Sequence, residues 1–263
     1  MSAASRKRPG FALLIVLWAL LPLSAFFLTL ASGARSDGQV ASNLRTAAGL
    51  EAAAEAGIET ATFALLGGRA PTGSSRLNVS GVSVTVVTED ISGRLNPNIA
   101  SPELLRALLI HVGAAPGAAE RIAAAVADWR TPGGQARPGG AKVAEYRAAG
   151  RDYGPPGAPF ETLAELGDVL GMTPPMLSAL LPNLSLDTDR PPDLAVAPPA
   201  IAAALADMGV RGGTSAPSDV FQIVAEAVGA SGARAIRRAT VKLGPSGDGR
   251  PWRILAWRDQ QPQ

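Results

Sequence analysis

The sequence contains no cysteine and a single histidine, His111, among 263 residues. Lack of cysteine excludes disulfides, thiolate zinc sites, a cysteine nucleophile and a lipidated thiol. One histidine excludes any multi-histidine metal centre. No Gly-x-Ser-x-Gly elbow accompanies it and no phosphate-binding glycine loop is present, so the chain is not expected to be an enzyme. His111 reads as a side chain near a helix C-terminus, where a cation is mildly favoured. Charge is scarce as well, at 17% charged residues and a net +2. Arg6, Lys7 and Arg8 carry three of the positive charges, and taking these from +2 leaves the rest at −1. A nearly neutral remainder has no footprint for a phosphate backbone, so no nucleic-acid partner is expected.

What is abundant is apolar. With 47% hydrophobic residues the chain can build a packed core, and its 29 glycines and 22 prolines stay below a low-complexity share. The basic residues Arg6-Lys7-Arg8 precede Pro9-Gly10, and no charge follows from Phe11 to Ala34. Such a run matches the roughly 30 Å hydrocarbon core of a bilayer, and its flanking charges predict a cytoplasmic N-terminus. Pro22 is expected to bend the segment. Three readings compete: a secretory signal cut near Ser32-Gly33-Ala34, a plain anchor, or a junction that resembles the prepilin processing site of type IV pilin-like proteins. In the last, a membrane peptidase cuts after Gly10 and methylates the new N-terminal Phe11.

The residues that follow separate these readings. From Gln39 to Leu66, Leu44, Ala47, Leu50, Ala54, Ile58, Ala61 and Leu65 recur at helical spacing, and Glu51, Glu55 and Glu59 mark a solvated face. Gly67-Gly68 stops the helix. An unbroken helix over Phe11–Leu66 would make a rod of about 80 Å, half in lipid and half against a soluble head.

In the head, Val79–Glu89 alternates as a strand with Val82, Val84 and Val86 on one face. Ala239–Leu243 and Trp252–Trp257 read as a hairpin, and Val220–Val224 as a further strand or a helix. Between them, Ser101-Pro102-Glu103 caps a helix bearing Leu104, Leu105 and Leu108. Ile122, Val126 and Trp129 mark a second helix. Thr162-x-x-Glu165 forms a capping box, Thr173-Pro174 opens another helix, and Thr131–Gly140 is a loop. An internal echo sets Ile99–Leu104 beside Val196–Ile201, with Leu108 matching Leu205. These elements predict an α+β fold: a pilin-like long N-terminal helix, an antiparallel sheet and a large α-helical insertion. The expected divisions are a leader (1–10), a transmembrane segment (11–34), a periplasmic stem helix (35–68), an α/β head (69–98 and 215–263) and the helical insertion (99–214).

Gly10–Trp18, Ser92-Gly93-Arg94-Leu95-Asn96-Pro97-Asn98-Ile99-Ala100-Ser101, Ala127-Asp128-Trp129-Arg130, Phe160–Leu166, the second Ala-Pro-Pro segment and Trp257-Arg258 follow in an order that resembles the type II secretion minor pseudopilins of the general secretion pathway protein K family. The resemblance implies a bacterial inner-membrane protein spanning once, its head periplasmic, sitting at the tip of a pseudopilus that exports folded proteins. Its implied partners are minor pseudopilins I and J, the prepilin peptidase and the inner membrane, with no small-molecule substrate. Most pilin-like subunits carry Glu at the fifth mature position; here it is Ile15, in keeping with a subunit that has none above it. No cofactor is expected. Some members are understood to bind calcium through acidic side chains, but Asp128 has no second acid before Glu145, and Asp187 and Asp189 are the better-placed pair. Alternatives are a minor pilin of a type IV pilus or a membrane-anchored helix-hairpin-helix DNA-binding protein, which Leu95–Arg130 resembles without its compact glycine turn.

Overall fold

The computed structural model describes residues 9–68, 72–211, 218–245 and 249–260, without side chains for 9–13, 25–38, 259 and 260. Helix α1 (Pro9–Leu66) runs through Pro22 as one element of 58 residues, about 87 Å at 1.5 Å per residue. The leader up to Arg8 lies outside the described residues, and much of 11–34 lacks described side chains. Among the described residues no helix is long and apolar enough to cross a membrane. Leu14 to Leu23 are exposed along α1.

The second half of α1 packs on an antiparallel five-stranded sheet in the order β1-β2-β3-β4-β5. These strands are β1 (Gly73–Val79), β2 (Val82–Asp90), β3 (Val220–Val228), β4 (Arg234–Leu243) and β5 (Trp252–Gln260). Leu50, Ala54, Ile58 and Ala61 of α1 meet Val84, Val86, Ile223, Ala225, Ala239 and Val241 in one core. The expected strand over Val79–Glu89 is β2 from Val82 onward, while Val79 ends β1 and Ser80-Gly81 make the turn of a hairpin. Ser80 and Gly81 both have positive φ, 51° and 84°, as a two-residue turn with right-handed strand twist requires, and Val79 pairs with Val82. At Gly57 the helix comes so close to the sheet that a Cβ would lie 2.9 Å from Val84 Cγ1 and 3.2 Å from Val86 Cγ2.

Between β2 and β3 lies the helical insertion: α2 (Pro102–His111), α3 (Pro116–Arg130), α4 (Val143–Ala148), α5 (Pro174–Leu180) and α6 (Pro199–Asp207). Its core is separate, built from Leu105, Leu108, Ile122, Val126, Tyr146, Leu166, Leu184 and Ile201 among others. Ser101 caps α2, its Oγ accepting from Leu104 N at 3.2 Å. The capping box at Thr162 opens a six-residue 3-10 helix (Leu163–Asp168) in place of an α-helix; Gly171 at φ 91° and Pro174 leave no room for more turns. The sequence echo has a structural meaning. Helices α2 and α6, each with proline at its first turn, pack on one another, and Leu108 and Leu205 are both buried.

Candidate functional site

The segment Ser92–Ser101 joins the sheet to the insertion. Gly93 approaches the chain at Val196-Ala197 so closely that a Cβ would stand 2.5 Å from three backbone atoms, a contact available only to glycine. Leu95 forms a parallel bridge with Leu184. Its N–H donates to Asn183 O at 2.9 Å, and its carbonyl accepts from Ser185 N at 3.0 Å. Asn96 is buried and donates through Nδ2 to Leu186 O (3.0 Å) and Thr188 O (2.6 Å), while its Oδ1 accepts from Asn98 N at 2.8 Å. The Asn98 amide grips the Phe160 backbone on both sides, Nδ2 to O at 2.9 Å and N to Oδ1 at 2.7 Å. Pro97 between them lacks a donor and fixes its own φ, which suits a segment whose side chains do the bonding.

The second motif locks onto the first. Arg130 donates to Pro97 O and, at 2.5 Å, to Ala100 O, and burial lowers its pKa, with Arg137 adding to the effect. Trp129 stacks on Phe160 with centroids 5.8 Å apart and an interplanar angle of 4°, and also meets Tyr146 at 6.3 Å. Asp128 is buried. Its carboxylate accepts from Arg137 N at 3.0 Å and lies 3.5 Å from Arg137 Nε. Lys142, buried at 4% exposure, sends Nζ to Asp128 O (2.6 Å) and Thr131 O (2.5 Å). One ammonium thereby closes both ends of the Thr131–Gly140 loop.

A third contact ties β4 to the far end of the insertion. Lys242 Nζ lies 2.5 Å from Asp189 Oδ2 and 3.7 Å from Asp219 Oδ2, and Arg190 pairs with Asp219. The Lys242 hydrogen bond holds the Asp189 carboxyl below its ordinary pKa. Asp189, one of the two acids of the Asp187/Asp189 pair, is thus engaged by Lys242. No group of three potential metal ligands occurs among the described residues. An open cavity of about 310 Å3 beside α3 is lined by Ile122, Ala125, Leu170, Arg121 and Glu145, with no serine, threonine or histidine among its lining residues.

His111 Nε2 meets Asp207 Oδ2 at 2.8 Å, joining the ends of α2 and α6. Glu51 and Glu55 are not a purely solvated face: Arg237 of β4 lies 2.9 and 3.6 Å from them. Trp129 is core, Trp252 is half-buried against the sheet core, and Trp257 is 39% exposed. Ile15 is exposed on α1; the side chain of Phe11 is outside the described residues, and Gly10 is described only as backbone of α1. Sequence reading missed β1, α4 and the roles of Lys142 and Asn96. The Ser-Gly pair flanked by valines was a usable signal for the hairpin; a buried lysine leaves none.

Residues 75–187 match the family model described as type II secretion system (T2SS), protein K. No curated protein matches the chain. Among solved structures, a chain from the crystal structure of the GspK-GspI-GspJ complex of the enterotoxigenic Escherichia coli type 2 secretion system is similar in fold. It has a TM-score of 0.65 at 15% identity, covering 87% of this chain and 100% of that chain. The motifs that build the clasp, Ser92–Ser101, Ala127–Arg130 and Phe160–Leu166, all fall inside the matched residues, so the likeness to type II secretion system protein K rests on the segments that join the sheet to the insertion.

Proposed function

We propose that the chain is the minor pseudopilin at the tip of a type II pseudopilus, where it primes filament assembly for export of folded proteins. The carrying observation is the unbroken helix α1, exposed and apolar at Leu14–Leu23, leading into a head with the protein K fold. Its apolar part anchors the protein in the inner membrane, with the head in the periplasm. The prepilin peptidase cuts after Gly10 and methylates Phe11. Ile15 puts no carboxylate in the filament core, where an unpaired charge would cost several kcal/mol, so the chain needs no subunit above it. Minor pseudopilins I and J, the components of the similar complex, are its partners, held through the stem helix and the sheet. The clasp and the insertion act as a rigid cap, without catalysis.

Deleting the gene is expected to abolish export of type II substrates, and co-expression with pseudopilins I and J to yield a ternary complex. Mass spectrometry of the mature amino terminus checks the processing step. Methylated Phe11 supports this reading; a chain beginning at Arg35 would make the apolar segment a secretory signal, and an intact leader a plain anchor.

A further inference from the structure

Cross-strand register divides the β4–β5 hairpin into two faces. Ala239 and Val241 are fully buried under α1, opposite Trp257 and Ile254. Residues of the other parity point away from the helix: Arg238 faces Arg258, Thr240 faces Ala256, and Lys242 faces Arg253. The row through Arg258 and Arg238 continues to Val224 and Val87, and Val87 is 44% exposed. Two cationic pairs thus face each other across one ladder, although like charges directly opposite destabilise a sheet. Lys242 is offset by Asp189 and Asp219, and Arg234 by Glu226. Arg253 and Arg258 are exposed, and among the described residues no carboxylate lies within ion-pair distance of either.

We propose that this outer sheet face docks an acidic protein surface, with carboxylates on Arg253 and Arg258 and an apolar side chain over Val87 and Val224. Their ladder partners Arg238 and Lys242 are four residues apart across a bulge in β5, so at about 3.3 Å per residue the two arginines stand roughly 13 Å apart, and Val224 lies two strands, or about 10 Å, from Arg258. Guanidinium forks on rigid strands suit fixed carboxylates, which they bind in a bidentate manner. A bilayer is the poorer candidate. Leu50 packs beside Gly229 at the β3–β4 turn, so the sheet begins about 40 Å along α1 from Leu23, several times the roughly 10 Å Debye length. The proposal does not depend on the tip position argued above.

The test uses the full detergent-solubilised chain and a fluorescein-labelled 20-residue polyglutamate, read by anisotropy at low salt. R253E/R258E should weaken binding at least about tenfold. R106E/R147E, which changes net charge equally on exposed positions of the insertion, should change it less than about twofold. R253E/R258E should also leave Tm within a few degrees of the parent's, because both side chains are exposed. Equal loss in both double variants, or no loss in either, overturns the proposal. So does R253E/R258E-sensitive flotation with phosphatidylglycerol vesicles when polyglutamate binding is unaffected, since the face would then serve a lipid surface.

Discussion

Asn96 donates to the carbonyls of Leu186 and Thr188, 90 and 92 positions ahead in the chain. Asn96→Ala would leave them buried without that donor. The cost of an unmet buried polar group is about 1–3 kcal/mol, so the variant should lose about 2–4 kcal/mol in chemical denaturation. Tyr146 provides a second residue-scale test. Its hydroxyl accepts from Leu170 N at 3.0 Å, and burial pushes its pKa up to about 12. The unfolded phenol ionises near 10, so between about pH 10 and 12 the unfolded chain has lost a proton that the native state retains. Stability present below pH 10 should therefore fall as pH rises, by up to about 1.4 kcal/mol per unit. Tyr146→Phe should flatten that part of the stability profile while lowering stability at neutral pH, because Leu170 N loses its acceptor.

At the scale of elements, the contact between α1 and the sheet depends on a missing side chain. Gly57→Leu must displace Val84 and Val86 or lift the helix, and overpacking of this kind costs about 1–3 kcal/mol or more. Thermal unfolding of the variant should show it, and Gly49→Ala, which meets no atom within 4 Å, should not. Legibility differed by element. Strand β2 and helix α2 were readable because their apolar positions repeat at 2.0 and 3.6 residues. Helix α4 was not, since only Tyr146 of its six residues is buried and so short a segment has no period. Strand β1 carries no buried position and owes its existence to pairing with β2.

On the scale of the whole molecule, two apolar cores, one under α1 and one within the insertion, are joined by a polar clasp at Ser92–Ser101. Gly93→Val would put atoms where Val196 and Ala197 have their backbone. Calorimetry should then resolve two transitions in place of the one expected of the parent protein, because each core retains its own packing once the coupling weakens. A single lowered transition would mean that the cores remain one unit.

The long helix, the capped starts of α2 and the 3-10 segment, and the family motifs were determined by the chain as written, since each rests on neighbours within a few residues. The motif residues were visible, but not what they do: Asn98 reaches residue 160, and Arg130 reaches residues 97 and 100. Only the tertiary structure brought these together, closed a loop with a buried ammonium at Lys142, and set Arg238 against Arg258. Hydrogen bonds and ladder register join residues distant in sequence, and local periodicity carries no record of such partners.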